Sequence, residues 1–369
     1  MNIKFEDGFA ELLKQKLEEA LKQRGKVNIL IAGKTGVGKS TLVNAVFQGN
    51  LAEVGDGRPV TPDTREIKKE GIPLSIFDTR GLELNEYKNT VQDLERLIQD
   101  RRKSEDPNQH IHIAWVCMME DSRRVEDAEI ELVEMLDKYI PVVGVITKSV
   151  SDNGFRQTVQ DLLPQTRNVV RVRAIETVFD DGYSMPAMGL DKLVELTMSL
   201  VPETQRDALA AAQKVSINHK MQRAQAVVTG ACSLAAGAGA APLPFSDFIA
   251  IIPIQISMLA GISAVWGLPM STAFLGTLVS GAIAGSAGTI AGRAAVGALL
   301  KFIPGIGSTV GGAISAAVAG TLTVAFGEAY ITSLYVLTKD DPNRIPTAEE
   351  IRDEFVTQLK SSKKELAAG

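Results

Sequence analysis

Apolar and polar positions follow two regimes along this chain. Through residues 25–202, apolar runs of strand length at 27–32, 72–77, 111–118, 142–146 and 169–172 are separated by more polar segments. Helical periodicity covers 39–48, 87–103, 123–139, 154–163 and 189–200. Such alternation predicts an α/β domain with right-handed crossovers and a mostly parallel sheet carrying helices on both faces; ligand then sits at the carboxyl edge of the strands. The stretch 49–64 is polar and contains glycine and proline, so it reads as a loop. Ahead of this domain, Phe5, Phe9, Leu12, Leu13, Leu17 and Leu21 recur at helical spacing among charges, which predicts an amphipathic helix over 4–24 that stops at Gly25. That helix either packs on a neighbouring domain or serves dimerisation or lipid contact.

The second regime begins beyond Pro202. Residues 203–223 read as a charged helical connector. Across 224–337 the charged side chains are Asp247, Arg293, Lys301 and Glu328 alone, and small and aliphatic residues fill most of the rest. This predicts an all-α, Gly/Ala-rich domain. Its runs 248–267, 270–292 and 306–337 approach or exceed bilayer-spanning length, though Pro253 and Gln255 interrupt the first. Gly281/Gly285, Gly288/Gly292 and Gly307/Gly311 have the spacing that lets helices approach closely in lipid. Lys214, Lys220 and Arg223 on one side, with Lys339 and Arg344 on the other, fit helical hairpins whose ends share one side of a membrane. The competing expectation is a water-soluble bundle whose small faces pack on one another; a mean hydropathy of +0.07 leaves room for it. Residues 347–366 predict a charged helix with Ile351, Phe355, Val356 and Leu359 on one face.

Length and composition narrow the class. At about 150 residues per domain, 369 residues suggest two domains. A net charge of −5 gives no reason to expect nucleic acid. The two cysteines, Cys117 and Cys232, each lie in an apolar run and read as reduced core thiols of a cytoplasmic protein. His110, His112 and His219 show no zinc-ligand spacing, and the N-terminal sequence has no apolar signal region.

The chemistry concentrates at 27–41. The strand 27–32 breaks into Gly33-Lys34-Thr35-Gly36-Val37-Gly38-Lys39-Ser40, followed by Thr41 and a helix, which is the pattern of a phosphate-binding P-loop. The glycines let successive N–H groups turn inward onto phosphate oxygens, and the helix adds its positive end. Lys39 reaches the β- and γ-phosphates, and the Ser40 hydroxyl is a candidate Mg²⁺ ligand. About forty residues on, the second strand ends in Asp78-Thr79-Arg80-Gly81. Asp78 there can hold Mg²⁺, and Gly81 offers an N–H to the γ-phosphate. Between the two motifs, Thr61 and Thr64 are both candidates for the hydroxyl that joins metal and γ-phosphate in a nucleotide switch, Thr61 ahead.

Thr147-Lys148, a strand ending in [NT]K beyond the P-loop and DxxG, resembles the guanine-reading motif of Ras-like GTPases. The resemblance implies a Ras-like fold, GTP and GDP as substrate and product, Mg²⁺, and Lys148 packed along the base. In that family an aspartate two residues later reads the guanine edge; here the position is Val150, and Asp152 is the nearest carboxylate. Arg173-Ala174 falls where the family presents a backbone N–H to the guanine oxygen. The wording GKTGVGKST is closer to septin-, immunity-associated- and interferon-inducible-type GTPases, which implies a TRAFAC-class, Era/septin-like protein and a GTP-dependent homodimer. Where Ras-like enzymes often carry a water-orienting glutamine, this chain has Leu82, which implies slow intrinsic hydrolysis. Arg80, Arg65 or a partner subunit then has to supply the missing polar group. The C-terminal region resembles the apolar domain of unknown function that follows Era-like GTPase domains, including its PLPFSD and FIPGIG turns.

The expectation is therefore a GTPase domain over 25–202 with Lys39, Thr61 and Gly81 in the reaction, followed by an apolar helical domain over 224–337 that associates with lipid at the cytoplasmic face of a membrane. A membrane scaffold with structurally bound nucleotide, and a soluble GTP-dependent assembly factor that grips a client, are the alternatives.

Overall fold

The computed structural model describes residues 3–49, 51, 58–61, 64–79, 87–239, 247–284 and 316–368. It divides into two compact units: Gly25–Ser216, and a second unit joining Met1–Arg24 to Ile217–Gly369.

The first unit is built on a seven-stranded sheet in the order β2-β3-β4-β1-β5-β6-β7. Its strands are β1 Val27–Ala32, β2 Arg58–Thr61, β3 Thr64–Lys68, β4 Leu74–Thr79, β5 Ile113–Met119, β6 Val142–Thr147 and β7 Asn168–Arg171. β4, β1, β5, β6 and β7 are parallel, and β2 and β3 extend the β4 edge antiparallel. Every residue of β1 and of β6 is buried, which is why those segments carry continuous apolar runs instead of alternation. Among the described residues, the α-helices of this unit are α2 Lys39–Val46, α3 Tyr87–Arg102, α4 Asp127–Asp137, α5 Phe155–Leu162, α6 Leu190–Leu200 and α7 Glu203–Ala212. Leu94 and Ile98 of α3, Leu132 and Leu136 of α4 and Val159 of α5 bury against β1, β5 and β6 in one cluster. Elsewhere in this unit Trp115 of β5 stacks on Phe47, ring centroids 5.7 Å apart, and donates its indole N–H to Thr197 of α6 at 3.1 Å. A small hairpin, β8 Thr177–Val178 with β9 Ser184–Met185, lies outside the sheet.

Three local readings are corrected. The span 49–64 is not loop throughout, because Arg58–Thr61 and the residues from Thr64 are the paired strands β2 and β3. The helix expected from residue 123 starts at Asp127, because Glu126 caps it: its side chain accepts from the backbone of Glu129, whose carboxylate takes the Glu126 N–H at 2.9 Å. The connector 203–223 is broken after α7, where the Gln213 side chain accepts the N–H groups of Val215 and Ser216, both at 2.8 Å, and gives the backbone another partner.

The second unit is helical: α1 Ile3–Arg24, α8 Ile217–Gly239, α9 Asp247–Trp266, α10 Thr272–Ala284, α11 Ala316–Thr338 and α12 Ala348–Ala368. Leu13 and Leu17 of α1 share a core with Val228 of α8, Leu259 and Ile262 of α9, Leu275 of α10, Tyr330 of α11 and Phe355 of α12. Phe355 meets the rings of Phe326 and Tyr330 edge-on at 4.9 and 5.3 Å. At Gly327 a β-carbon would press into Val228, so the glycine sets how closely α11 and α8 approach. Among the described residues, no helix is long and apolar enough to cross a membrane. Gly285, Gly288, Gly292, Gly307, Gly311, Arg293, Lys301 and most of the PLPFSD and FIPGIG turns lie outside the described residues.

Lys220 of α8 is 3% exposed and donates to the Trp266 carbonyl at 2.7 Å. Burial pushes its pKa down to about 7. An unfolded lysine titrates near 10.4, so between about 7 and about 10 the unfolded chain holds the extra proton and stability rises with pH. Below about 7 both states are protonated and this dependence ends. Thermal unfolding of the helical unit is expected at a higher temperature at pH 9 than at pH 7, and Lys220→Met is expected to flatten the difference. Equal midpoints in the wild-type chain would contradict the burial argument.

Candidate functional site

The site forms where β1 lies between β4 and β5, at the carboxyl ends of parallel strands. Gly33 leaves β1 with φ +146, and a β-carbon there would run into the carbonyl of Cys117 on β5. Gly38, at φ 99, starts α2 in the left-handed region that glycine favours. Lys39 opens the helix and its Nζ folds over the loop, donating to the carbonyls of Gly33 at 2.7 Å and Lys34 at 3.2 Å. Ser40 and Thr41 are exposed on the first turn, as are Thr35 and Gly36 on the loop. Lys34 pairs with Glu126 at the start of α4. A cavity of about 540 Å³ opens beside the loop, lined by Lys34, Thr35, Gly36, Val37, Arg124 and Lys148 among others.

Asp78 stands at the end of β4, next to Ile31 of β1 in register. Burial raises its pKa, and the positive charges of Lys39 and Arg65 pull against that. Thr61 and Thr64 face each other across the hairpin; Thr64 pairs with Thr79, and Arg65 with Asp78. The register therefore puts Thr61, Thr64 and Thr79 on one face at this end of the strands, and Asp78 with Arg65 on the other. Among the described residues, one oxygen of each of Thr61, Thr64, Asp78 and Thr79 is buried without a hydrogen-bond partner. Leaving such an atom unpaired costs about 1–3 kcal/mol, and of the four Asp78 is the one that shares its face with Arg65 and feels the charge of Lys39. Carboxylate and hydroxyl oxygens are the ligands Mg²⁺ takes, and the chemistry of Asp78, at the end of β4 beside β1, and of Ser40, on the first turn of α2, fits that ion. Arg80, Gly81 and Leu82 lie outside the described residues.

The Thr147-Lys148 loop closes the far side. Thr147 is buried, and its hydroxyl donates toward the carbonyls of Val37 at 2.5 Å and Met118 at 3.0 Å, which ties the end of β6 to the P-loop. Lys148, at φ 52, is exposed beside the cavity. Val150 is exposed. Asp152 accepts the Arg156 N–H at 2.8 Å and lies 3.6 Å from Arg171, so its carboxylate serves the start of α5. Arg173 is buried and bridges to Met188 through its backbone, with Ala174 following; its Nε and Nη1 have no hydrogen-bond partner among the described residues.

A sheet of this order, with its phosphate loop leaving the central strand and a metal-type oxygen set at the next strand's end, defines the class of P-loop nucleotide hydrolases. Residues 28–148 match the family described as 50S ribosome-binding GTPase, and residues 204–361 match a domain of unknown function, DUF697. A GTPase-family match thus falls on the unit that carries the phosphate loop, and the DUF697 match on the chain that follows it. The chain is 26% identical over 168 residues to Septin-9 of Rattus norvegicus, covering 38% of this chain and 30% of that protein. To the tRNA modification GTPase MnmE of Treponema denticola it is 27% identical over 203 residues, covering 51% of this chain and 41% of that one. The chain thus spans less than half of either relative. A solved septin GTPase domain from Chlamydomonas reinhardtii aligns at 16% identity and a TM-score of 0.32, over 45% of this chain and 86% of that domain.

Proposed function

We propose that this GTPase is a switch in which the state of the bound nucleotide controls self-association and attachment of the helical unit to lipid at the cytoplasmic face of a membrane. The observation that carries it is the phosphate loop leaving β1 beside Asp78, whose unpaired oxygen stands at the end of the neighbouring strand, next to the β2 and β3 hairpin. An edge hairpin whose hydroxyls are completed only by metal and γ-phosphate has two arrangements, one for each nucleotide. Lys39 and the P-loop amides hold the β- and γ-phosphates and stabilise charge as the terminal bond breaks, with water as the acceptor. Ser40, Thr61 and Asp78 would hold Mg²⁺, which supplies charge neutralisation there. Association through a nucleotide face is supported by the septin likeness, and lipid contact by the scarcity of ionisable residues across 224–337.

Light scattering after gel filtration, paired with flotation on phosphatidylglycerol-containing vesicles, tests the reading in GDP and in a non-hydrolysable GTP analogue. A larger species and vesicle-bound protein with the analogue are expected. A monomer that stays with the dense fraction in both states would remove the switch output and leave the GTPase. One observation favours a second reading: the helical unit packs its own core around Leu259, Tyr330 and Phe355, as a client-gripping assembly factor without a bilayer would. Nucleotide-dependent association without flotation would select it.

A further inference from the structure

The turn that ends β5 grips the loop after β6 by both kinds of backbone group. Register places Met119 beside Thr147, so the next residues of each strand meet: Glu120 on one side, 148–152 on the other. Glu120, 1% exposed, accepts the N–H groups of Val150 at 2.5 Å and Ser151 at 2.7 Å through one carboxylate oxygen. Its other oxygen takes Arg171 Nε at 2.8 Å. Burial pushes the Glu120 carboxyl up, but the bonds from Val150, Arg171 and Ser151 outweigh it and hold the group below its ordinary range. Three residues on, Arg123 sits in the left-handed region at φ 49 and its guanidinium donates to the carbonyls of Ser151 and Asp152. The same guanidinium lies over the Phe155 ring, 5.4 Å from its centroid. N–H groups are thus fixed by a buried anion and carbonyls by a cation, both from one turn.

We propose that Glu120 and Arg123 are positioning residues for guanine recognition: this turn sets the conformation of 148–152 and thereby the chain's preference for guanine over adenine. Val150 offers no carboxylate to the base, and Asp152 is committed to α5. Discrimination therefore rests on how the loop's backbone and the Lys148 stem are presented, and the turn governs both. The assignment rests on reading 147–152 as the base-facing loop, as the resemblance of Thr147-Lys148 to a guanine-reading motif implies.

The test compares affinities of wild type, Glu120→Gln and Arg123→Met for GDP, ADP and magnesium tripolyphosphate, which engages the P-loop alone. Displacement of a base loop by about 1 Å can cost up to 10²-fold, so a fall of roughly tenfold in GDP affinity and in the GDP-to-ADP ratio is expected, with tripolyphosphate within about twofold. Arg123 is exposed, so its variant keeps the fold if Glu120→Gln does not. An unchanged ratio in Arg123→Met, or an equal fall for all three ligands, would overturn the proposal. Lys148→Met separates the underlying reading: if it leaves guanine preference intact, the loop does not face the base; if it lowers preference while Arg123→Met does not, the loop stands and the clamp fails.

Discussion

Lys39→Ala is expected to reduce GTP turnover by roughly 10²–10³-fold, the usual effect of deleting one preorganised donor at a charge-developing oxygen. The argument is geometric. Among the described residues its Nζ donates to the carbonyls of Gly33 and Lys34, so the fold loses two bonds it can replace with water. Phosphate loses its cation. Single-turnover phosphate release and a thermal melt together check this: a crippled rate with a nearly unchanged melting temperature is expected. Wild-type turnover in the variant would remove the P-loop from the reaction.

Asp78→Asn is expected to separate stability from activity. Burial raises the Asp78 pKa, so the folded state favours the protonated form more than the unfolded chain does. That contribution is present at acid pH and is lost as pH rises through the folded value, leaving a desolvated charge at neutrality. Asparagine is uncharged. Without magnesium or nucleotide the variant should therefore melt higher than wild type at pH 7, and the gain should shrink toward pH 4. With GTP the order reverses, because a neutral amide holds Mg²⁺ poorly and the magnesium concentration for half-maximal turnover should rise about tenfold. A variant that is less stable in the free state, with unaltered magnesium dependence, would show Asp78 to be an ordinary structural carboxylate.

Much of this was readable before any coordinates. The run from Val27 to Ala32 and the glycines after it carry local signals, since a buried parallel strand must be apolar on both faces and a phosphate loop must bend where side chains cannot. Lys39, Ser40 and Asp78 follow from their positions just after strands. The β2 and β3 hairpin was not readable, because Arg65, Glu66 and Lys68 of β3, the second strand from the edge, keep partly exposed side chains, and such a composition cannot be told from a loop. Glu120 and Arg123 left no trace for another reason. Their meaning depends on Met119 lying beside Thr147, a non-local pairing that no short window of sequence contains. The place of α1 was open for the same cause: an amphipathic stripe states that something covers it, and only the folded core names Val228 and Tyr330 among its neighbours.

The joining of α1 to helices that begin at Ile217 has a consequence for biosynthesis. At about 5–20 residues per second, the ribosome needs roughly ten seconds or more to deliver the intervening segment, and longer to deliver α11 and α12. Throughout that interval the nucleotide-binding unit can finish folding while Leu13 and Leu17 wait without their permanent neighbours. Nascent chains halted before α8 emerges should therefore hold GTP yet recruit a chaperone through their leading segment.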